Sequence, residues 1–562
     1  MEAGSEVRGE VSSACGYFWA MRSLLLSFAF IIVSIAPAQQ WNWAVDAGGG
    51  GNTDFCWGIA TDSQGNAYWA GSISGSADFG CTTISPPAIA GVLAKYDSTG
   101  TCLWARGITV GFNDAWAYGI AIDAQDRIYI TGSYDGNADF GNGITLNSLG
   151  GDDIFLARYD LDGNCLWARR AGSSGSNDEA RGIAVSDDGE VFITGISGGT
   201  TIVFDGISIP NAANFRQIII ARYDSTGTVH WAKASTGNGQ GKSSRAITVA
   251  NDRLYITGQI ASAGASFDGL VISTTASAKL YVLACSLDGE ALWANAYGVG
   301  DHEGMGIEAD TLGNIFISGR MWGALHLPDD TLNSISANND ILLMGLDTAG
   351  TYRWAMSTGS ALNDVAYGIE ADGHGNAYVS AQFLQTIDFF GTPLTALGGE
   401  DLLAARITNW GSVSWVKQGG GFMRDVGLCV HRSNVGSKPV YVGGYYFGPA
   451  TYGNSTIDDV LNGDAMMIQL SDTTLVDIVT VLPRNECDQR ALLYPSPAGD
   501  RITLRSDRPI TRLWLVSSFG NIVPVQYDQS GNIDVGHLAP GTYFLRAALN
   551  DGRVISEAFV KD

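Results

Sequence analysis

Positive charge is scarce in this sequence. Of 562 residues only 32 are Lys or Arg, against 57 Asp and Glu, and the formal net charge is −25. The basic residues form no stripe or cluster, so the surface repels a phosphate backbone and nucleic acid is excluded as a partner. Helical periodicity is also missing outside the N-terminus. Charged residues make up only 16% of the chain and glycine occurs 73 times, a composition that fits short strands joined by tight turns. The six histidines show neither HxH nor HExxH spacing, and no two cysteines are spaced CxxC, so no metal or redox motif is legible. "GISGG" at Gly195 to Gly199 fits G-x-S-x-G, but no helix follows Ser197 to build a nucleophile elbow. No catalytic residue is expected, and the chain is read as a non-enzyme.

One apolar run does exist. "SLLLSFAFIIVSIAPAQQ" follows Met21 and Arg22 and ends in a small-x-small "APA" at Ala36 to Ala38, the pattern of a secretory signal cut before Gln39. It is too short for a comfortable span and has no successor, so no transmembrane anchor is expected in the mature chain. Glu2, Glu6 and Glu10 suit a signal poorly, which makes Met21 the expected start within a signal region 1–38. Removing that region takes Cys15 with it and leaves seven cysteines. An odd number at irregular spacing is read as no disulfide framework, with Cys102 and Cys165 as small buried apolar residues.

What the sequence has in abundance is repetition. A Trp-Ala pair recurs at Trp43, Trp104, Trp167, Trp231, Trp293 and Trp354, with Trp415-Val416 as a seventh, at steps of 61 to 64 residues. Inside a period, "YGIAID", "RIYITG", "IFLARYD" and "CLWARR" read as four antiparallel strands, the blade of a propeller. The phrase "YDSTGTCLWARG" at Tyr96 to Gly107 is the hairpin between the third and fourth strands. In it Asp97 begins the turn and Gly100 supplies the positive φ. Seven first strands can be found, from "WGIATD" to "VGLCVH", but the seventh unit has no Trp-Ala strand after it. "QWNWAVDAG" at Gln40 to Gly48 is that missing strand, so the predicted fold is an all-β, seven-bladed propeller over 39–471, closed by its N-terminal strand. A linker over 472–490 and a small antiparallel β-sandwich over 491–562 follow.

The motif "GIAxDxxGNxYxTG…DFG…FLARYDxxGxxxWA" resembles the bacterial SBBP repeat family of seven-bladed propellers, over roughly residues 40 to 470. That resemblance implies a fold and an extracellular setting, with no common reaction. Tyr494-Pro495-x-Pro497-Ala498, the "FGN" turn at Phe519 to Asn521 and Leu538-x-Pro540-Gly541-x-Tyr543 resemble the type A sorting domain of the type IX secretion system of Bacteroidetes-type bacteria. The resemblance implies passage through the type IX secretion machinery, after signal-peptide export to the periplasm, to the outer-membrane surface or beyond it.

For a ligand site the polar set ahead of the first strands stands out: Asp54, Asp114, Asp178, Asp301, Asp364 and Asp425, with Lys242 and Ser243 in the fourth unit. A ring of carboxylates at the channel face would suit a cation, with calcium the candidate cofactor, or a basic ligand group. The other reading is that each Asp accepts backbone N–H groups of its own loop, and repetition favours it. Trp57, Trp116 and Trp322 are aromatics for stacking on sugars, each equally able to be core. The expected role is a secreted or surface binding or structural module with a glycan or surface-protein partner. The rival is a secreted polysaccharide lyase or hydrolase acting on the channel face.

Overall fold

The computed structural model describes residues 39–472 apart from 50, 52, 212–213, 239–240, 262–263, 273–277, 329 and 459–461, together with the tail strands within 491–561. The signal region, nearly all of the linker, Cys487, Pro495, Pro497, Ala498 and Pro540 lie outside the described residues. Tyr494 ends one tail strand and Gly541 begins another.

All regular structure described is strand, and over 40–471 it is organised around seven four-stranded antiparallel blades. The innermost strands, from Phe55–Thr61 in blade 1 to Asp425–Arg432 in blade 7, pack in succession around an axis, and the seventh meets the first. Gln40–Ala47 pairs with Asp464–Ser471 as the outermost strand of blade 7, so the ring closes between distant parts of the chain as expected. The second and third strands of each blade are almost wholly buried, which suits their near-continuous apolar sequence.

The repeated phrase forms a lock between blades. Trp43, Trp104, Trp167, Trp231, Trp293 and Trp354 each donate Nε1–H to a backbone carbonyl in the third-to-fourth-strand turn of the next blade, at 2.8 to 3.2 Å. The same ring lies against the glycine of that turn. A Cβ on Gly100 would come within 2.9 Å of the Trp43 ring, and its φ is +86°, so this position is closed to other residues twice over. The turn's Asp binds its own loop: Asp97 Oδ1 accepts the amides of Thr99 and Thr101 at 2.8 and 3.0 Å.

A small hairpin between the second and third strands recurs in all seven blades, and it contains the "DFG" turns. In three places it extends the outermost strand of the preceding blade, as where Ala138 and Asp139 pair with Val110 and Thr109. This hairpin corrects the reading of the cysteines. Cys102 is joined to Cys81 in a disulfide, because the first blade's hairpin folds over its own outer strand. In blade 2 the equivalent contact is a hydrogen bond from Asn142 Nδ2 to Cys165 O at 3.0 Å, and Cys165 is a free buried thiol as expected. The tail forms antiparallel sheets of three and four strands, with Ile502, Leu515, Ile533 and Leu545 in one core.

Candidate functional site

Every innermost strand carries an irregularity at the same place. In blade 1 the pairing skips from Cys56 to Gly58, and the same skip occurs at Tyr118, Arg181, Arg245, Met305, Tyr367 and Leu428. A bulge adds one residue and re-aims its side chain. Here the seven bulge residues, Trp57 among them, all line one cavity of about 450 Å³ at a mouth of the central channel. In sequence they stand just before the glycine of "GIA" or "GIE" in five blades, and before Ala246 and Cys429 in blades 4 and 7. That glycine is needed because the next blade's innermost strand passes close: a Cβ on Gly119 would stand 2.9 Å from Arg181 O.

The ring divides into two arcs. On one side Trp57 and Tyr118 meet edge to face at 5.7 Å between centroids, Phe55 stacks on Trp57 at 4.8 Å, and Tyr445 packs on Phe55 at 5.0 Å. On the other side, blades 3 to 5 present Arg181, Arg245 and Arg320. Glu303, only 3% exposed, sits among them. It accepts from Ser243 Oγ at 2.7 Å, Arg245 Nε at 2.7 Å, and Arg320 Nε and Nη2 at 3.1 and 3.0 Å. Burial opposes its ionisation, but the two guanidinium groups outweigh it and hold its carboxyl below the usual range. Arg181 lies over the Tyr118 ring at 4.3 Å and binds Glu179 at 2.9 Å.

The bulge also decides which residues form the predicted carboxylate ring. Counting back from it, the equivalent positions are Asp54, Ala115, Asp178, Lys242, His302, Asp364 and Asp425. Asp114 and Asp301 therefore fall one residue outside the set. Asp114 Oδ1 accepts the Ile89 amide at 3.2 Å, while Asp301 is part-exposed and lies 3.6 Å from Arg320 Nη2. The other four are fully buried. Asp178 accepts the amides of Ser173 and Gly198 at 2.6 and 2.8 Å, Asp364 those of Ser360 and Leu384 at 2.5 and 2.7 Å, Asp54 that of Ser74 and Asp425 that of Gly421. Burial pushes Asp425 up to about 7, lowers His302 to about 4 and Lys242 to about 8. The described residues hold no group of three or more His, Cys, Asp or Glu placed to ligate a metal. Of the three tryptophans singled out, Trp57 lines the cavity, Trp116 stacks on Tyr118 at 6.3 Å, and Trp322 is 46% exposed at the end of a second strand.

Comparison with known proteins adds to this geometry. Residues 492–561 match the family described as Secretion system C-terminal sorting domain. The tail is a sorting domain. It directs the protein to the type IX secretion machinery, and hence to secretion or the cell surface. Residues 43–80 match the family described as Beta-propeller repeat, and the blades built around them are of the SBBP type. An uncharacterized WD repeat-containing protein of Acanthamoeba polyphaga mimivirus is 27% identical over 204 residues, 31% of this chain and 15% of that relative's length. Among solved structures, the WD40 propeller domain of Doa1 has a TM-score of 0.36 at 9% identity, covering 78% of this chain and 98% of that one. A polysaccharide lyase, an ulvan lyase bound to its saccharide, has 0.39 at 10%, covering 72% and 93%. A protein of unknown function from Dyadobacter fermentans has 0.37 at 10%, covering 77% and 99%. No helix among the described residues is long and apolar enough to cross a membrane.

Proposed function

We propose that this exported propeller is a binding module whose ligand enters the cavity at the channel mouth. The observation that carries the reading is the composition of the bulge ring. Six tryptophans repeat one contact in blade after blade, whereas the bulge position holds Trp, Tyr, Arg, Arg, Met, Tyr and Leu. A position needed only for closure has no reason to vary this way, and a cavity of this volume falls within the size of small-molecule and oligomer sites. Binding is favoured over catalysis because the carboxylate in the cavity, Glu303, is fully engaged by protein donors and is not poised to take or give a proton.

The test is an array of glycans and surface proteins probed with the purified full chain and with a Trp57→Ala variant. The expected result is a saturable partner whose binding the variant loses. Binding that is indifferent to Trp57→Ala would place the ligand elsewhere and overturn the reading.

A further inference from the structure

Resting on that reading, we infer that the ligand is an acidic saccharide, a pyranose carrying a carboxylate or sulfate, with its anionic group on Arg181 and Arg245 and its ring face on the aromatic arc. The lining of the cavity points first to an anion. Three arginines and one glutamate line it. Glu179 binds Arg181 and Asp301 lies 3.6 Å from Arg320, so what marks this wall is its set of guanidinium donors rather than a net positive charge.

The hydrogen-bond inventory narrows this further. A carboxylate offers about four acceptor sites. Glu303 receives four protein donors, so it braces the arginines and leaves little for a ligand to donate to. Donors, by contrast, are in surplus. Among the described residues Arg245 donates only from Nε, to Glu303, which leaves both terminal nitrogens. Arg181 donates from Nη2 to Glu179, and its buried Nε has no partner there. A donor-rich, acceptor-poor wall suits a carboxylate or sulfate, for which the guanidinium fork is the matching group.

The opposite wall selects the rest of the ligand. Trp57, Tyr118 and Tyr367 project from bulges in blades 1, 2 and 6 and offer amphipathic ring surface, apolar on the face and polar at the phenol tip. A sugar ring has the matching duality, with C–H groups on its face and hydroxyls at its rim. An inorganic anion alone would leave this arc unused.

Titration calorimetry on the full chain with three oligosaccharides of equal length separates the possibilities: a uronate oligomer, a sulfated oligomer and a neutral one. Saturable binding of at least one acidic oligomer, about tenfold or more tighter than the neutral one and weakened by salt, is the expected result. Whichever acidic oligomer binds identifies the anionic group. Arg245→Gln should cost a further tenfold or more in affinity for it, and Arg245→Lys, which keeps the charge but loses the fork, should recover only part. Glu303 retains Arg320 and Ser243 in either variant, and a single cooperative melt verifies the fold. Equal affinity for acidic and neutral oligomers, unaffected by Arg245→Gln, would overturn the anionic assignment and leave the cavity a binding site. Silence with all three would overturn the saccharide inference, while Trp57→Ala on the array decides the binding reading separately.

Discussion

The outer tryptophans and the channel bulges are both built once per blade, yet one set is nearly invariant and the other differs at almost every step. Each tryptophan makes the same two contacts, a hydrogen bond to a turn carbonyl and a ring face on a turn glycine, so any change opens a seam between blades. The bulge side chains line the channel cavity and meet a different neighbour at each step, Tyr118 for Trp57 but Glu303 for Arg245. Repetition therefore marks what holds the ring together, and departure from it marks the cavity proposed to take a ligand.

The largest effect expected from this contrast is on the lock. Trp231→Ala removes the bond to Leu287 O and uncovers Gly289, and should cost about 3 kcal/mol of stability in a denaturant melt. A cost under about 1 kcal/mol would mean that the blades are held together mainly by their strands.

Next in size is a pH dependence from paired carboxylates at blade junctions. Asp153 faces Asp178 across Gly172, and Asp401 faces Asp425 across Gly420. Asp153 Oδ1 and Asp401 Oδ1 are buried without a hydrogen-bond partner among the described residues. Burial, reinforced by the neighbouring carboxylate, pushes Asp153 and Asp425 up to about 7. A folded pKa raised above the unfolded value near 4 means that the fold holds the proton more tightly, so this stabilisation is full at low pH and lost as pH rises through about 7. Between pH 5 and pH 8 stability should fall by about 2 kcal/mol, and Asp153→Asn should flatten the slope. A stability that rises over that interval would contradict the assignment.

The same comparison shows what the sequence could and could not reveal. Seven blades, the closing strand and the Asp-x-x-Gly turn were legible because each follows from local spacing and turn chemistry. The channel ring was not, because an alternating strand assigns faces by parity and an unseen bulge reverses the parity at one residue. Asp114 and Asp301 stand about five residues before their strand glycine, where Asp54, Asp178 and Asp364 stand about four, so Ala115 and His302 hold the equivalent positions. "VGLCVH" in turn stands two residues out of step with "WGIATD", since the bulge puts Leu428 at the place of Trp57. The signal was present in the varied residue before each "GIA" glycine. The Cys81–Cys102 bond was hidden for another reason: the hairpin carrying Cys81 folds onto its own blade, a contact that repeat-to-repeat comparison does not test.

The smallest expected effect concerns the closing blade. Its third and fourth strands come from opposite ends of the propeller, so no hairpin turn faces Trp415, and Nε1 of that residue has no partner among the described residues. Trp415→Phe should therefore cost about 1 kcal/mol less than Trp231→Phe, in which a hydrogen bond is lost. Equal costs would show that Trp415 has an acceptor in solution.

The central claim, that the lock carries stability and the bulge ring carries binding, is tested most directly by measuring melting and ligand affinity on Trp231→Phe and Arg245→Gln side by side. The account predicts a lowered melt with unchanged affinity for the first, and for the second a folded protein with affinity lost, its melt lowered only by the loss of one partner of Glu303. Affinity retained in Arg245→Gln, or lost in a folded Trp231→Phe, would contradict it.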